Sequence, residues 1–360
     1  MHKKINNADK FKALIGTDLP IIQAPMAGVQ DHRLTVAVSQ AGGLGSLPCG
    51  MLDIDTIVNE IKAIKAKTSY PFNLNFFCHN MPNYDVEKHN KWQRVLTPFF
   101  NELDIDSNTL TTSASRTPFN HSIADAIEPF APAVISFHFG LPSPELISRI
   151  KNWGSKILST ATTVQEAIWL ESNGADAIIV QGVEAGGHRG MFLSEDLSTQ
   201  TGLMALLPQV IAQVNVPVIA AGGISDQCGV EAALILGASA VQVGTAYLLC
   251  PEASTSQLHR DAIKANRTQS NTAITNLFTG RPARGIVNRV MQELGYINNH
   301  VPDFPHASIE MSQLRTKSEK LASSDFSPLW CGQNTMGCAE ISAKDLTLHL
   351  VNQRSASLHD

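Results

Sequence analysis

Two stretches of similar form decide the fold: Thr162-Thr163-Val164-Gln165-Glu166-Ala167 with Gly174-Ala175-Asp176-Ala177-Ile178, and Ser225-Asp226-Gln227 with Gly237-Ala238-Ser239-Ala240-Val241. In each stretch a polar residue can cap the start of a helix, and a glycine can end that helix just before an apolar strand. This order of signals predicts helix–strand units that follow one another along the chain.

Short apolar runs recur in the same way from Pro20 onward. They predict eight strands, at residues 20–26, 44–48, 71–77, 133–139, 156–161, 177–181, 217–221 and 240–245. Helical stretches lie between them, at residues 52–65, 143–153, 163–173, 201–214 and 227–236. Strands that are apolar on both faces and separated by helices are typical of a parallel sheet covered on both sides. Eight such units within about 250 residues favour a (β/α)8 TIM barrel over an open doubly wound sheet.

Two stretches break this rhythm, one after the third strand and one after the eighth. We therefore predict an inserted and C-terminal subdomain that covers the substrate side of the barrel. The predicted parts are the first barrel segment (1–78), an insertion contributing to the substrate-side subdomain (79–131), the second barrel segment with a phosphate-binding end (132–250), a substrate-side helical subdomain (251–325) and a tail that returns to the barrel (326–360). A decorative surface or an oligomer contact is an equally open interpretation of the added segments.

The composition narrows the functional classes. The chain has 360 residues, of which 43% are hydrophobic and 16% charged, so a well-filled core is available. A net charge of −5 argues against a nucleic-acid binder that relies on a basic face. No apolar run approaches the length of a membrane span. We expect neither nucleic acid nor membrane as a partner.

The six cysteines lie far apart and form no Cys-x-x-Cys pair. In a chain of this size they predict free thiols in a reducing compartment. The lysines at the N-terminus are not followed by an apolar segment, which argues against a signal peptide. We therefore expect a cytoplasmic protein.

A glycine-rich loop with one histidine follows the apolar run at residues 177–180 directly. In this loop, residues 181–190, His188 is framed by Gly186, Gly187 and Gly190. A strand ending in such a turn places an ionisable group where the backbone can closely approach a ligand. Because barrel chemistry lies at the carboxyl ends of the strands, His188 is the candidate catalytic residue, with a simple turn residue as the alternative.

Glycine turns after the seventh and eighth strands indicate a phosphate site. Gly222 and Gly223 follow one strand, and Gly244 and Thr245 follow the next. Such turns expose backbone N–H groups at the usual phosphate position of a barrel. The alternative is that these tight turns need glycine only because a side chain would not fit. The other strand ends carry amides, at Gln23, Asn75, Gln181 and Gln242, and no cluster spaced for a metal. Neutral hydrogen-bonding groups around a phosphate anchor suit a planar cofactor ring such as a flavin.

Together these motifs resemble the nitronate monooxygenase family, formerly called 2-nitropropane dioxygenases, in its FMN-dependent class I. The resemblance covers about residues 20–248 and returns at residues 278–285. It rests on sequence blocks that occur in the same order and at the same spacing as in the family, at residues 20–28, 41–45, 181–190, 217–224 and 242–245. By itself it implies a barrel fold and a flavin cofactor.

Carried over position by position, the resemblance implies a non-covalent FMN site and no metal. Its cofactor-binding residues would be Ala24, Pro25, Met26, Asn75, Gln181, Gly186, Gly187, Gly222, Gly223, Gln242, Val243, Gly244 and Thr245. His188 matches the active-site histidine, which would take the α-proton of a neutral nitroalkane or hold a bound nitronate. The implied reaction is oxidation of an alkyl nitronate, such as propionate 3-nitronate, by O2 to a carbonyl compound and nitrite. The protein would be a monomer or homodimer.

Several positions depart from the family pattern or have two interpretations. Asn73 stands where the family usually has glycine, and residues 301–306 lack the expected tyrosine; Tyr84, Tyr247 and Tyr296 are candidate substitutes. His138 is as easily a core residue as a site residue, and His306 is expected in solvent. Arg281 and Arg284 could attract an anion or form surface ion pairs.

Two other functions stay open. One is an NAD(P)H-dependent flavin reductase, of the quinone or enoyl-thioester type, on the same barrel. Arg189, which follows the loop histidine, favours the monooxygenase branch. The other is a barrel that binds a phosphate ligand without redox chemistry. No lysine or carboxylate pair at a strand end supports that last alternative.

Overall fold

The computed structural model describes residues 7–106 and 116–351. Its strands are β1 (Ile21–Gln23), β2 (Gly45–Pro48), β3 (Phe72–Phe77), β4 (Val134–His138), β5 (Lys156–Ala161), β6 (Ala177–Gln181), β7 (Gly187–His188), β8 (Val218–Ala221), β9 (Ala240–Val243), β10 (Thr272–Thr275) and β11 (Ala283–Ile286). Eight of these strands are parallel neighbours in the order β1-β9-β8-β6-β5-β4-β3-β2. A parallel bridge between Ile22 and Leu44 joins the two ends. The predicted (β/α)8 barrel is confirmed, and each predicted strand region contains one of its strands.

The α-helices alternate with the barrel strands and add a second group on one side. They are α1 (Asn7–Ile15), α2 (His32–Gln40), α3 (Ile54–Lys65), α4 (Val86–Glu102), α5 (His121–Ile127), α6 (Pro144–Asn152), α7 (Val164–Ser172), α8 (Leu203–Ile211), α9 (Gln227–Ile235), α10 (Gln257–Gln269), α11 (Arg289–Leu294), α12 (Ser308–Lys320) and α13 (Ala343–His349). In the described part of the chain, no helix is both long and apolar enough to cross a membrane.

The two stretches that decide the fold form as their sequences predict. Thr163 accepts a hydrogen bond from the N–H of Glu166 at the start of α7, and Asp226 accepts one from Gly229 at the start of α9. Gly174 and Gly237 follow these helices with φ of +102° and +104°. A left-handed turn of this kind ends a helix and returns the chain toward the sheet.

The amino-terminal end of the barrel is closed by α1. Its Phe11 is fully buried and packs in a cluster with Ile22, Val134, Leu158 and Ile219 from the barrel strands. An apolar plug at this end leaves the opposite end, where the strands terminate, as the place for polar chemistry.

The segment after β3 and the chain after β9 share one apolar cluster. Trp92, Leu96 and Phe99 of α4 pack with Met291 of α11 and Leu314 of α12. Burying aromatic and aliphatic side chains against one another stabilises this arrangement by roughly 1.5–3 kcal/mol for each fully buried large side chain. The five-part division of the chain stays a prediction, but these two added segments pack as one body.

The loop that carries His188 is joined to this added body by a small antiparallel sheet. The strands run in the order β10-β11-β7, and His188 pairs with Ala283 while Gly187 pairs with Arg284. The N–H of Arg189 also donates to the carbonyl of Pro282 at 2.8 Å. The backbone of the candidate catalytic loop is therefore positioned from both the barrel and the C-terminal segment.

Candidate active site

A cavity of about 410 Å³ opens at the carboxyl ends of the barrel strands. Among its lining residues are thirteen of the positions predicted from the sequence: Ala24, Pro25, Met26, Asn75, Gln181, Gly186, Gly187, His188, Gly222, Gly223, Gln242, Gly244 and Thr245. Val243 is different, because its side chain lies in the apolar core and its carbonyl accepts a hydrogen bond from Ala24 at 2.8 Å. The structure thus brings one scattered set of residues to a single site.

The loop at residues 181–190 is held closed by its own polar groups. The amide of Gln181 donates to the carbonyl of His188 at 2.9 Å and accepts from the N–H of Gly190 at 2.9 Å. The buried guanidinium of Arg189 donates to the carbonyls of Gly182 and Gln181 at 2.9 and 3.0 Å. Both side chains are therefore used to shape the loop, and they fix the direction in which His188 points.

The backbone of another segment of the chain packs closely against Gly186. A Cβ atom built on this residue would lie 2.5 Å from the nitrogen of Gly332 and 2.6 Å from the carbonyl carbon of Cys331. The segment around residues 331–332 therefore crosses directly over the loop. Position 186 therefore requires glycine because the backbone of residues 331–332 packs against it. The close approach of a ligand, which the sequence predicts, would be a second reason.

His188 lies in a cage of aromatic rings. The surrounding ring centroids are 5.5–6.3 Å from that of His188 and belong to Phe77, Phe139, Phe304 and Trp330. Its Nε2 lies 2.9 Å from the hydroxyl of Thr279. Among the described residues its Nδ1 has no hydrogen-bond partner. One ring nitrogen is thus anchored, and the other is available.

The charge state of His188 is set by its surroundings. Burial among protein atoms lowers the pKa of His188 well below its usual 6.5, and the positive charge of Arg116 lowers it further. Arg281 acts in the same direction, as do His138 and His79 when they are protonated. The ring is consequently neutral near neutral pH, so it can accept a proton but does not supply a standing positive charge.

His138 stands beneath the same loop as part of the cavity wall. Its Nε2 lies 3.1 Å from the carbonyl of His188, and its Nδ1 lies 3.2 Å from the hydroxyl of Thr160. A carbonyl only accepts, so Nε2 carries the proton and Nδ1 accepts from Thr160. Burial lowers the pKa of His138 to about 4. Of its two interpretations, the structure favours a site residue that supports the His188 backbone.

Asn73 fills the position where the family usually has glycine. Its side-chain amide donates to the hydroxyls of Ser46 and Ser136 at 3.0 and 2.8 Å. Ser136 in turn accepts from the amide of Asn75 at 2.9 Å, and Asn75 lines the cavity. A buried polar network therefore runs through the barrel interior to the floor of the site.

The glycine turns after β8 and β9 line the same cavity. The tail closes over them: Asn334 donates to the carbonyl of Gly223 at 2.9 Å, and the N–H of Gly332 donates to the hydroxyl of Thr245 at 2.9 Å. The same hydroxyl also forms a hydrogen bond with the side chain of Cys331. These turns combine backbone N–H groups and a hydroxyl, the kinds of group that bind a phosphate.

One buried polar atom in the wall has no protein partner. The side-chain oxygen of Gln242 is buried and makes no hydrogen bond within residues 7–106 and 116–351. Leaving such an oxygen unpaired costs about 1–3 kcal/mol. Gln242 lines the cavity, so a ligand that donates a hydrogen bond there would remove this cost.

The aromatic cage and one charge beside it are not predicted by any sequence motif. Phe77, Arg116 and Trp330 line the cavity, and Phe139 and Phe304 pack around His188. Arg116 lies outside every motif, and only the fold brings it near His188. The positive φ of Phe139, 70°, is a strained conformation that also carries no sequence signal.

None of the candidate tyrosines replaces the missing family tyrosines at the site. Tyr247 is fully buried and bonds the hydroxyl of Thr347 at 2.8 Å, while Tyr84 and Tyr296 are 40% and 46% exposed. The expectation that His306 is solvated is wrong. This ring is buried, with its Nε2 3.1 Å from the carbonyl of Pro82.

The two arginines of the segment at residues 278–285 have different environments, and neither forms a surface ion pair among the described residues. Arg284 is buried and donates to the carbonyl of Val183 at 2.9 Å, so it supports the loop. Arg281 lies over the ring of Phe139, with 4.2 Å between its Cζ and the ring centroid. Within the described chain, no group of three or more His, Cys, Asp or Glu residues is arranged to hold a metal.

These features define an α/β-barrel protein whose cavity has both polar and apolar walls and is lined by a histidine and by paired glycine turns. Comparison with known proteins gives the family. The family model described as nitronate monooxygenase matches residues 9–353. Nitronate monooxygenase of Pseudomonas aeruginosa is 37% identical over 96% of this chain and 99% of its own. A probable nitronate monooxygenase of Staphylococcus saprophyticus is 37% identical over 96% and 97%.

Two solved structures are similar to nearly the whole chain. Nitroalkane oxidase from Streptomyces ansochromogenes has a TM-score of 0.86 and 36% identity, covering 96% of this chain and 97% of its own. FabK from Thermotoga maritima has a TM-score of 0.69 and 26% identity, covering 95% and 94%. The chain belongs to the nitronate monooxygenase family, and it is an oxidoreductase.

Proposed function

We propose that this enzyme binds FMN and oxidises alkyl nitronates with O2 to a carbonyl compound and nitrite. The observation that carries the proposal is the single cavity that joins His188 to the two glycine turns. Its volume lies within the range of about 300–1,000 Å³ that is usual for ligand and cofactor sites. Family membership supports the same chemistry.

The residues present fit a flavin. The turns after β8 and β9 would hold the phosphate through backbone N–H groups and the Thr245 hydroxyl. Gln242 would accept a hydrogen bond through its buried, unpartnered oxygen. Ala24, Pro25 and Met26 line the wall where an apolar ring would lie. When bound, FMN supplies the electron-transfer chemistry that no amino-acid side chain provides.

His188 is proposed to act as a proton acceptor. The hydroxyl of Thr279 lies 3.4 Å from the carbonyl of Arg281, to which it donates, and it thereby accepts from Nε2–H of His188. This tautomer leaves a lone pair on Nδ1. A neutral imidazole so oriented can take the α-proton of a nitroalkane. Its lowered pKa speaks against the other role, in which a protonated histidine holds the nitronate.

The aromatic cage is proposed to exclude water from this proton acceptor. Phe77, Phe139 and Phe304 are at most 8% exposed and form one cluster beside His188. Apolar walls strengthen electrostatic interactions inside a site by lowering the local dielectric constant. A carbanion-like substrate is thereby kept from bulk solvent while it reacts.

A flavin reductase that uses NAD(P)H is the second candidate. The similarity to FabK over nearly the whole chain keeps it open. A single set of measurements separates the two. The purified protein is saturated with FMN and mixed with NADPH without oxygen, and separately with propionate 3-nitronate in air.

The proposal expects oxygen uptake and nitrite release with the nitronate, and a flavin that stays oxidised with NADPH. Bleaching by NADPH without nitrite release would support the reductase instead. A protein that remains colourless after FMN is added and the excess removed would contradict both, and would favour the barrel without redox function.

A further inference from the structure

Two guanidinium groups approach His188 without any acidic partner. Among residues 7–106 and 116–351, no carboxylate lies within ion-pair distance of Arg116 or Arg281. Glu195 and Glu166 act on Arg281 only at longer range. Half-buried cations are usually paired, so this arrangement leaves two positive charges near His188 without a counter-charge.

Their hydrogen bonds leave capacity for a ligand. Arg116 donates through Nη1 to the hydroxyl of Ser308 at 3.0 Å. The Nη1 atom of Arg281 is buried and has no hydrogen-bond partner in the described structure. Arg189 and Arg284 differ, because they donate to backbone carbonyls of the loop. A buried donor without an acceptor carries a desolvation penalty that an incoming oxyanion removes.

The aromatic cage around His188 holds both charges near the ring of this histidine. Arg281 lies 4.2 Å above the ring of Phe139, and Arg116 lies 5.7 Å from that of Phe304. Both rings pack against His188. The positive charges of Arg116 and Arg281 both lower the pKa of His188. The nearby His79, whose pKa burial lowers to about 4, adds a neutral ring and no competing charge.

The chemistry of this pair specifies its ligand. A guanidinium is a planar fork that donates two parallel hydrogen bonds to a planar pair of oxygens. The O–N–O group of a nitronate has that form and carries the negative charge, whereas a neutral nitroalkane does not carry a net charge. We propose that Arg116 and Arg281 form an anion-binding pair that selects ionised nitronates over neutral nitroalkanes. The inference rests on the proposed function.

The arginine pair is tested by steady-state kinetics with two substrates that share one carbon skeleton and differ in charge. Arg116→Met and Arg281→Met are assayed with 2-nitropropane and with its nitronate, propyl-2-nitronate. The KM for the nitronate should rise about 10- to 100-fold, the loss typical of a charge-assisted hydrogen bond. The KM for the neutral form should change less than about threefold. Equal changes for both substrates, or none, would overturn the inference.

Binding of inorganic nitrate provides a readout that does not depend on turnover. Nitrate is a planar oxyanion, and its binding to the FMN-saturated protein can be followed by calorimetry and by the visible spectrum. The native protein should bind it, and both methionine variants should bind it at least tenfold more weakly. Nitrate that binds all three proteins equally, or that does not bind the native protein, would contradict the pair.

Two further variants protect the interpretation. Arg281→Lys keeps the charge but loses the planar fork, so its nitrate affinity should lie between that of the native protein and that of Arg281→Met. If Arg281→Met folds poorly, the lysine variant alone should still bind nitrate more weakly than the native protein does. Arg94→Met removes an exposed arginine of α4 and should leave nitrate binding unchanged. Native protein that releases no nitrite, yet binds nitrate through both arginines, would contradict only the proposed function. Nitrite release without any dependence on the arginines would contradict only this inference.

Discussion

The Nε2 atom of His188 lies 2.9 Å from the hydroxyl of Thr279, so the candidate catalytic ring is oriented from the C-terminal segment. The backbone of the same residue is paired to Ala283 of β11 and bonded by Gln181 from the barrel. The side chain is thus oriented by the C-terminal segment, and the backbone is held by both that segment and the barrel. Orientation of an imidazole by a second group is what a general base requires.

Replacement of Thr279 by valine tests this orientation. The variant keeps the shape of the side chain and removes the partner of Nε2. A net hydrogen bond of about 1 kcal/mol corresponds to about a fivefold effect, so kcat for 2-nitropropane should fall by about 5- to 20-fold. Bound FMN, measured by absorbance after gel filtration, should not change. Thr279→Ser keeps a hydroxyl and should recover most of the activity; a serine variant as slow as the valine variant would exclude the hydrogen bond as the cause.

Replacement of His188 by asparagine tests the proton acceptor itself. Asparagine keeps polarity but cannot take a proton near neutral pH. Turnover of neutral 2-nitropropane, followed by oxygen uptake, should fall by about 10²–10⁴-fold while FMN remains bound. Turnover of the ready-made nitronate should fall much less, because no proton has to be removed. A variant that oxidises the neutral substrate at the native rate would remove His188 from this role.

Much of the barrel and its floor could be predicted from sequence, since the signals are local. Helix caps such as Thr163 and Asp226, and the glycines that follow their helices, act through hydrogen bonds between neighbouring residues. Because all parallel strands end at one side of the barrel, their terminal residues also meet there. The position of Gln242 beside the glycine turns follows from this rule alone.

The wall over His188 could not be predicted in the same way. Arg116, Phe304 and Trp330 come from segments without a periodic pattern. They meet only in the folded chain, where Phe304 and Trp330 pack against His188 and Arg116 lies near Phe304. His306 illustrates the same limit, because its burial depends on a contact with Pro82 far away in sequence. Such contacts are tertiary, and no local propensity specifies them.

Acid should destabilise this protein strongly below about pH 6.5. Burial lowers the pKa of His79, His138 and His259 to about 4, and that of His188 well below 6.5. In the unfolded chain these rings take up protons near 6.5, so the unfolded state binds more protons as the pH falls. The free energy of unfolding should therefore decrease from pH 6.5 toward pH 4, with no contribution from these groups above pH 7.

Urea unfolding at steps of half a pH unit measures how the free energy of unfolding changes with pH. His259→Gln retains a donor for the carbonyl of Trp330, which lies 3.2 Å from Nε2 in the native protein, and removes one buried titrating group. Its slope between pH 6.5 and pH 4 should be shallower. The exposed His300 is changed to glutamine as the matched control, and the pH dependence of the free energy of unfolding should then equal that of the native protein. Identical slopes for all three proteins would show that the buried ring does not titrate as described.

The polar network around Asn73 should contribute to both stability and cofactor binding. Asn73→Ala removes two hydrogen bonds and leaves Ser46 and Ser136 short of a donor in the barrel interior. The free energy of unfolding should fall by about 1–3 kcal/mol in urea titrations. FMN affinity should also fall, since Asn75 loses part of its support through Ser136. Asn90→Ala, on the exposed face of α4, is the matched control; weaker FMN binding there as well would mean that the effect is not specific to the network.

Gln242 offers a test in which two measured quantities move in opposite directions. Its buried oxygen is unpartnered in the protein, so Gln242→Leu removes a group that is costly to desolvate and keeps nearly the same volume. The protein without cofactor should become more stable, by up to about 1–3 kcal/mol in urea unfolding. FMN should bind more weakly by about 5- to 20-fold, because the cofactor loses an acceptor. Gln209→Leu, on the exposed side of α8, should change neither quantity. If Gln242→Leu instead destabilised the cofactor-free protein and left FMN affinity intact, the residue would belong to the packing of the barrel, and the flavin would have to be placed elsewhere in the cavity.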